Sequence, residues 1–357
     1  RVYCFIFQRV MDFSNKLVSW YLSNKRDLPW RNTANAYYIW LSEIILQQTR
    51  VAQGMPYYLA FVNAFSKVED LANASEDEVL KMWQGLGYYS RARNLHFTAK
   101  DIADNYGGEF PNDYQKILKL KGVGTYTAAA ITSFAFGLPY AVVDGNVIRV
   151  LSRIFGVDTP FDTTIGKKQF AELAQELLIK DNPSEYNQAI MEFGAMQCKP
   201  KSPDCSICPM QDFCEAYNKN TIAELPVKSK KIKVKKRFLH FLMIEEDGGV
   251  YLGKRKKGIW NGLYEFPFLE FDKKADEKQV IAAEDWKNIF NGAKVEIASI
   301  SPEFIHVLSH QKIHAQFWRL KTKNVQLKNF DFIAEKDLLN YPVSRLTEKY
   351  FETIELI

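Results

Sequence analysis

Apolar residues in the first two thirds of the chain recur at three- and four-residue steps, the period of a helix buried along one side. Residues 12–24 put Phe13, Leu17, Trp20 and Tyr21 on one face, and after the proline-bearing loop 26–31 (RDLPWR) the run 36–48, AYYIWLSEIILQQ, is apolar almost throughout. Helical spacing continues over 54–65, 75–84, 90–105, 113–119, 125–136, 146–155, 166–179 and 184–196. No run between 12 and 225 alternates as a half-buried strand does, so this part is expected to be all-α. The pattern changes across the polar stretch 218–237. Beyond it, 238–245 and 250–254 flank an Asp247-Gly248-Gly249 turn and read as a hairpin. Strands are expected at 303–309 and 314–321, and helices at 276–290 and 343–354. The layout is multidomain: an all-α core over 12–225, a basic linker over 226–237 and an α+β domain over 238–357.

A chain of 357 residues suits two or three domains, and 47% hydrophobic with 14% aromatic residues supplies packed cores and excludes a disordered chain. The net charge of +5 is too small to name a partner, but 228–237 holds seven basic residues and no acidic one. Such a run reads first as a solvated linker, with DNA contact as the sharper alternative. No apolar stretch reaches the roughly 18 residues of a membrane span. The opening RVYCFIFQRV lacks the layout of an export signal, and Met11 reads as the natural start, so a cytoplasmic protein with no membrane partner is expected.

Four of the five cysteines, Cys198, Cys205, Cys208 and Cys214, fall within seventeen residues, with Cys4 apart. Clustering without an export signal points to a metal or iron–sulfur site ahead of disulfides. The spacing C-x6-C-x2-C-x5-C has one C-x2-C pair where common zinc sites have two, which ranks iron–sulfur first and leaves zinc open.

Gly122-Val123-Gly124 leads directly into the helical run 125–136. Two close glycines let the backbone approach a ligand, and a helix N-terminus presents unpaired N–H groups, so an anion such as a DNA phosphate fits there. Asp144, in 142–146 (VVDGN), sits just before another helix, where an N-cap and a catalytic carboxylate are equally good readings. Glu43 lies among Ile39, Trp40, Ile44 and Leu46. Exposed on the polar edge of its helix, it would be ordinary; buried, its pKa rises and it holds a proton near neutral pH, as a general acid must.

At their spacing, the Gly-x-Gly turn and Asp144 resemble the helix-hairpin-helix and aspartate of the endonuclease III-type DNA glycosylases. The segments 41–49 (LSEIILQQT), 26–31, 85–95 (GLGYYSRARNL) and 143–147 (VDGNV) resemble the MutY-type adenine DNA glycosylases, and the likeness covers 12–357. It implies a helix-hairpin-helix glycosylase core, its hairpin-bearing subdomain over 35–140 and its cluster subdomain formed by the N-terminal helix with 141–225. It implies a [4Fe–4S] cluster on Cys198, Cys205, Cys208 and Cys214, and a hairpin able to hold a sodium, potassium or calcium ion.

The resemblance also assigns roles. Glu43 becomes the general acid that protonates adenine N7, and Asp144 the stabiliser of the oxocarbenium-like sugar, with Tyr126 and Asn146 orienting Asp144. Arg26, Trp30, Arg31, Leu46 and Gln188 line the adenine pocket, Gln188 toward the Watson–Crick edge. Gln48, Thr49, Leu86, Tyr88, Gly122 and Gly124 contact DNA, Tyr88 and Gln48 by filling the gap left by the flipped base. Family members that also cut the backbone carry a lysine where this chain has Tyr126, and a phenol cannot form a Schiff base, so a monofunctional enzyme is implied.

The C-terminal part resembles the Nudix-like domain of the same family, with 257–267 (KGIWNGLYEFP) as its lead. Residues 270–292 lack the R-E-x-x-E-E arrangement of a Nudix hydrolase, which points to a reader of 8-oxoguanine. Leu308-Ser309-His310 aligns with the family's F-S-H tripeptide, placing Ser309 at the oxidised base and His310 at phosphate, with Leu308 replacing the usual aromatic. Thr125 likewise replaces a common proline. The expected partner is duplex DNA with adenine opposite 8-oxoguanine or guanine, bound by a monomer at a bacterial-type nucleoid. The rival readings are a bifunctional glycosylase/lyase for oxidised bases, a non-catalytic iron–sulfur DNA sensor and a nucleotide pyrophosphatase.

Overall fold

A computed structural model describes residues 2–229, 234–323, 325 and 327–354. The side chain of Cys4 and three members of the basic run, Lys230, Lys231 and Lys233, lie outside the described residues. The chain forms two compact units that do not follow the expected order. One comprises 1–72 with 97–230, the other 73–96 with 231–357.

The first unit is helical. Its elements include α1 (Val2–Asn24), α2 (Ala36–Ile45) and α3 (Val51–Ala64). The short α4 (Val68–Asn73) leads to α5 (Glu76–Met82), which belongs to the second unit, and to α6 (Ser90–Tyr106), across which the boundary between the units falls. α7 (Tyr114–Lys119), α8 (Thr125–Phe136), α9 (Gly145–Phe155), α10 (Thr164–Leu177), α11 (Pro183–Met196) and α12 (Glu215–Asn218) complete the series. The expected helices are all present, most to within a few residues at their ends, but the helix expected over 12–24 starts ten residues earlier, at Val2; α4 and α12, of six and four residues, carry too little periodicity to be read. α2 buries eight of its ten residues, and α8, rich in alanine and small polar residues, lies close along it. α1 and α9 both pack on α11, around a core that includes Phe13, Leu17, Val147, Val150, Tyr186 and Phe193. Gly194 allows the tightest of these approaches, since a Cβ there would stand 2.7 Å from the Cβ of Asn146.

The second unit is built on a mixed sheet of eight strands. These are β1 (Lys235–Glu246), β2 (Gly249–Lys254), β3 (Tyr264–Glu265), β4 (Phe268–Phe271), β5 (Glu296–Ile300), β6 (Phe304–Val307), β7 (Gln311–Lys321) and β8 (Asp331–Ala334). β1 and β2 form the expected hairpin, and β1 runs parallel to β7, with Lys235 opposite Gln311 and Glu245 opposite Lys321. Alternate residues of β1 enter two cores: Leu239, Phe241 and Met243 face one with α15 (Arg345–Thr353), while Leu242 and Ile244 face the other with α13 (Glu277–Ala282) and α14 (Glu284–Phe290). The helix expected over 276–290 is two, broken where Ala283 turns extended (ψ 145). Strands β3, β4, β5 and β8, of two to five residues, carried no readable signal.

The segment 73–96 was expected in the glycosylase core. It clusters with the sheet because polar groups tie it there. Lys254 Nζ meets Asp77 at 2.5 Å, Tyr264 Oη donates to Asp77 at 3.1 Å, and Tyr89 Oη donates to the Val343 carbonyl at 3.3 Å.

Candidate active site

A cavity of ≈ 360 Å³ in the helical unit draws its wall from stretches far apart in sequence: Glu43 on α2, Tyr126 on α8, Asp144 and Asn146 at the start of α9, and Gln188 and Glu192 on α11. Arg26, Trp30 and Arg31 come from the loop before α2, and Leu46 and Thr49 from the turn after it. The volume suits a single purine, within the range of small-molecule sites.

Glu43 is 9% exposed because α2 is buried on nearly every side. Burial pushes its carboxyl up to about 7. The Tyr126 hydrogen bond and the Arg31 charge pull the other way, and the nearby Asp144 adds to the rise. Tyr126 Oη donates to Glu43 Oε2 at 2.7 Å, and burial holds that phenol well above its ordinary range, so it remains a donor. Tyr126 was expected to orient Asp144. Its hydroxyl instead belongs to Glu43, because α8 lies along α2.

Asp144 is the N-cap that its sequence position allowed, and its side chain also lines the cavity. As N-cap of α9 its Oδ1 accepts from the backbone N–H of Asn146 (2.9 Å) and Val147 (2.8 Å), and its Oδ2 accepts from Asn146 Nδ2 (2.8 Å). Burial raises its pKa, while those hydrogen bonds and the Arg149 charge favour the carboxylate. Asn146 is in turn gripped by Arg149, whose Nη2 donates to Asn146 Oδ1 at 2.8 Å and to the Gly194 carbonyl at 2.6 Å. The carboxylate therefore points into the cavity from a fixed mount.

The four cysteines follow α11. Two arginines one turn apart on α9 bind their loop: Arg149 Nε donates to the Cys198 carbonyl at 2.8 Å, and Arg153 Nη1 to the Lys199 carbonyl at 2.8 Å and towards Cys198 Sγ at 3.5 Å. Burial pushes the Cys208 thiol up to about 11, and the charges of Cys198, Cys214 and Cys205 add to it, so these sulfurs are close enough to disfavour one another's ionised forms until a cationic group binds. Among the described residues no three metal-binding side chains close on a point fit for a single ion. The fit to an iron–sulfur group therefore rests on four unpaired thiols in one short loop whose charges act on one another.

The matches agree with this geometry. Residues 41–178 match the HhH-GPD superfamily of base excision DNA repair proteins, 198–214 the iron–sulfur binding domain of endonuclease III, and 239–353 the NUDIX domain. The adenine DNA glycosylase of Buchnera aphidicola subsp. Baizongia pistaciae is 35% identical over 309 residues, spanning 85% of this chain and 84% of the relative. The chain belongs to the adenine DNA glycosylase family. Members of that family hydrolyse N-glycosyl bonds. The Homo sapiens adenine DNA glycosylase is 44% identical over 216 residues, covering 58% of this chain and 40% of its own. Among solved structures, a thermostable thymine-DNA glycosylase superposes with a TM-score of 0.56 at 32% identity, over 60% of this chain and 99% of that one. The loop 198–214 is thus an iron–sulfur binding loop. Among the described residues no helix is long and apolar enough to cross a membrane.

Arg26, Trp30, Arg31, Leu46 and Gln188 all line this one cavity. Gln188 is anchored from behind, its Oε1 accepting from Tyr21 Oη at 2.9 Å and its Nε2 donating to Ser184 Oγ at 3.3 Å. Gly122 and Gly124 stand exposed in the hairpin, Gly122 with φ +81, and Gln48 is exposed with φ +58. Leu86 departs from expectation. Its side chain is buried, so any DNA contact from this loop falls to its neighbours. Tyr88 is 51% exposed, with its Oη 2.7 Å from Ser309 Oγ, and His310 is exposed beside it in sequence. Sequence reasoning missed Glu192. It lies one helical turn beyond Gln188, which is the signal that places it on the same face of α11.

Proposed function

We propose that this protein excises adenine paired with 8-oxoguanine, and adenine paired with guanine, from duplex DNA without cutting the strand. The observation that carries the reading is a pair of carboxyl groups in one buried cavity, both raised by burial but bonded differently. Glu43 is pushed toward its protonated form by burial, while Asp144 accepts three hydrogen bonds that favour its anion. Two carboxyl groups so separated in character are what hydrolysis of a glycosidic bond asks for.

Adenine enters the cavity by leaving the stack, at a cost of about a few kcal/mol. Tyr88 and Gln48 are the residues assigned to the space it vacates, Thr49 contacts DNA, and the exposed hairpin of Gly122 and Gly124 holds backbone phosphate. Glu43 protonates N7, which turns a poor leaving group into a neutral base. Asp144, mounted on α9 and steadied by Asn146, faces the sugar where positive charge develops. Glu43, now ionised, activates the water that completes hydrolysis. The cysteines would hold a [4Fe–4S] cluster. When bound, it would fix the loop behind α9 and supply no step of the excision.

The absence of a lysine at Tyr126 leaves no amine there to open the strand. A duplex with one adenine opposite 8-oxoguanine tests this directly: strand breakage is expected only after hot alkali. Breakage without alkali would overturn the monofunctional reading, and no breakage under either condition would overturn the enzymatic one.

Ser309 gives the C-terminal unit a means of reading the opposite base. Its hydroxyl can accept the N7–H that 8-oxoguanine has and guanine lacks, and the Tyr88 hydroxyl at 2.7 Å holds it in place. Ser309→Ala is expected to reduce the preference for 8-oxoguanine over guanine roughly five- to tenfold, the worth of one hydrogen bond. Single-turnover excision from the two duplexes measures it, and an unchanged ratio would remove Ser309 from recognition.

A further inference from the structure

The floor of the cavity carries two positive charges close to a carboxyl that must stay neutral. Arg26 and Arg31 both line it, and the Arg31 charge works against the protonated form of Glu43. Between them sits Glu192, whose side chain is wholly buried. Its Oε1 accepts from the Arg26 backbone N–H at 3.0 Å and from Arg26 Nε at 2.8 Å; its Oε2 accepts from Arg26 Nη2 at 2.6 Å and from Arg31 Nη2 at 2.7 Å. Arg31 Nη1 also donates to the Arg26 carbonyl at 3.1 Å. The cluster is fully bonded and carries one net positive charge in place of two.

We propose that Glu192 is a positioning residue of the base pocket: it locks Arg26 and Arg31 into a rigid pair of donors and offsets enough of their charge for the proton-bearing form of Glu43 to persist beside them. The inference rests on the reading of Glu43 as proton donor. Glu192 is itself held ionised: against the cost of its burial, the two guanidiniums bring its carboxyl down to about 2. Each guanidinium keeps N–H groups that Glu192 does not use, and neither offers an acceptor. The two guanidiniums thus present donors to this side of the pocket, which suits the ring-nitrogen acceptors of a purine.

The charged and titratable groups around Glu43 come from every wall: Tyr126 on α8, Asp144 at the N-terminus of α9, Glu192 on α11, Arg26 and Arg31 on the preceding loop, and Arg50 on the turn after α2. Of these, Glu192 is the anion bonded directly to both loop arginines.

The test is the pH dependence of single-turnover excision across the neutral range. Wild-type activity should fall as pH rises through the raised pKa of Glu43, near 7. Glu192→Gln should move that limb down by roughly one pH unit, as an uncompensated charge at this range would. Glu192→Asp keeps the charge and should keep the limb, while weakening adenine binding through lost geometry. The double variant E192Q/R26Q restores the charge balance and should bring the limb back. A folded E192Q protein with its limb at the wild-type position would overturn the proposal. So would a loss of rate uniform in pH, the mark of a merely structural role. If E192Q does not fold, Arg31→Gln carries the test from the other side: the limb should move up, and a fixed limb overturns the proposal. A wild type with no limb near neutrality would instead strike at Glu43 as the acid.

Discussion

Glu43→Gln should lower adenine excision by roughly 10³-fold or more while leaving affinity for the mismatched duplex close to wild type. The amide has the shape of the carboxyl and can accept the Tyr126 hydrogen bond, but it has no proton to give to N7. It introduces no charge into the buried wall of α2, so the fold should hold. Single-turnover kinetics and a binding titration on the same duplex separate the two effects. Retained excision would take Glu43 out of the chemistry; lost binding would show that the pocket had collapsed.

The second large effect concerns Asp144, whose two roles can be pulled apart. Asparagine is as good an N-cap as aspartate, so Asp144→Asn keeps an oxygen for the N–H groups of Asn146 and Val147. It turns an amide donor toward Asn146 Nδ2, at a cost of about 1 kcal/mol for the lost bond. Asp144→Ala removes all three bonds and should cost about 2 kcal/mol in stability. Both variants lose the negative charge facing the sugar, and both should lose roughly 10²–10³-fold in rate. Thermal unfolding then ranks the variants, while excision does not. If Asp144→Asn stays active, capping exhausts what Asp144 does.

Much of this was legible in sequence for physical reasons. α2 announces itself by an apolar run, and α3 and the helices from α5 to α11 by periodicity, because each buries a face. Glu43 and Asp144 could be singled out as carboxylates beside apolar residues, but the local pattern left an exposed glutamate and an N-cap as equally good readings, and only the family resemblance chose between them. What was not legible depended on partners far along the chain. Glu192 meets Arg26 and Arg31, 166 and 161 residues away, and no local pattern announces such a meeting. Arg149 and Arg153, on an otherwise apolar face of α9, are buried because the cysteine loop offers them carbonyls. Tyr126 changed partner because helix packing, unlike helix formation, is not written in one segment. The short strands β5 and β8 expose half or more of their residues and so carry no alternation to read.

The membership of 73–96 in the C-terminal unit changes how the protein can be taken apart. A chain ending at 230 would still carry α5 and the turn bearing Tyr88, but without Lys254, Tyr264, Val343 or Ser309 to hold them. Such a truncation would remove the unit proposed to read the opposite base and also loosen the residue proposed to fill the vacated stack. Poor discrimination by a shortened enzyme would therefore have two origins, and only single substitutions within an intact chain can tell them apart. The division of labour in this protein is drawn in space, and its border crosses the sequence three times.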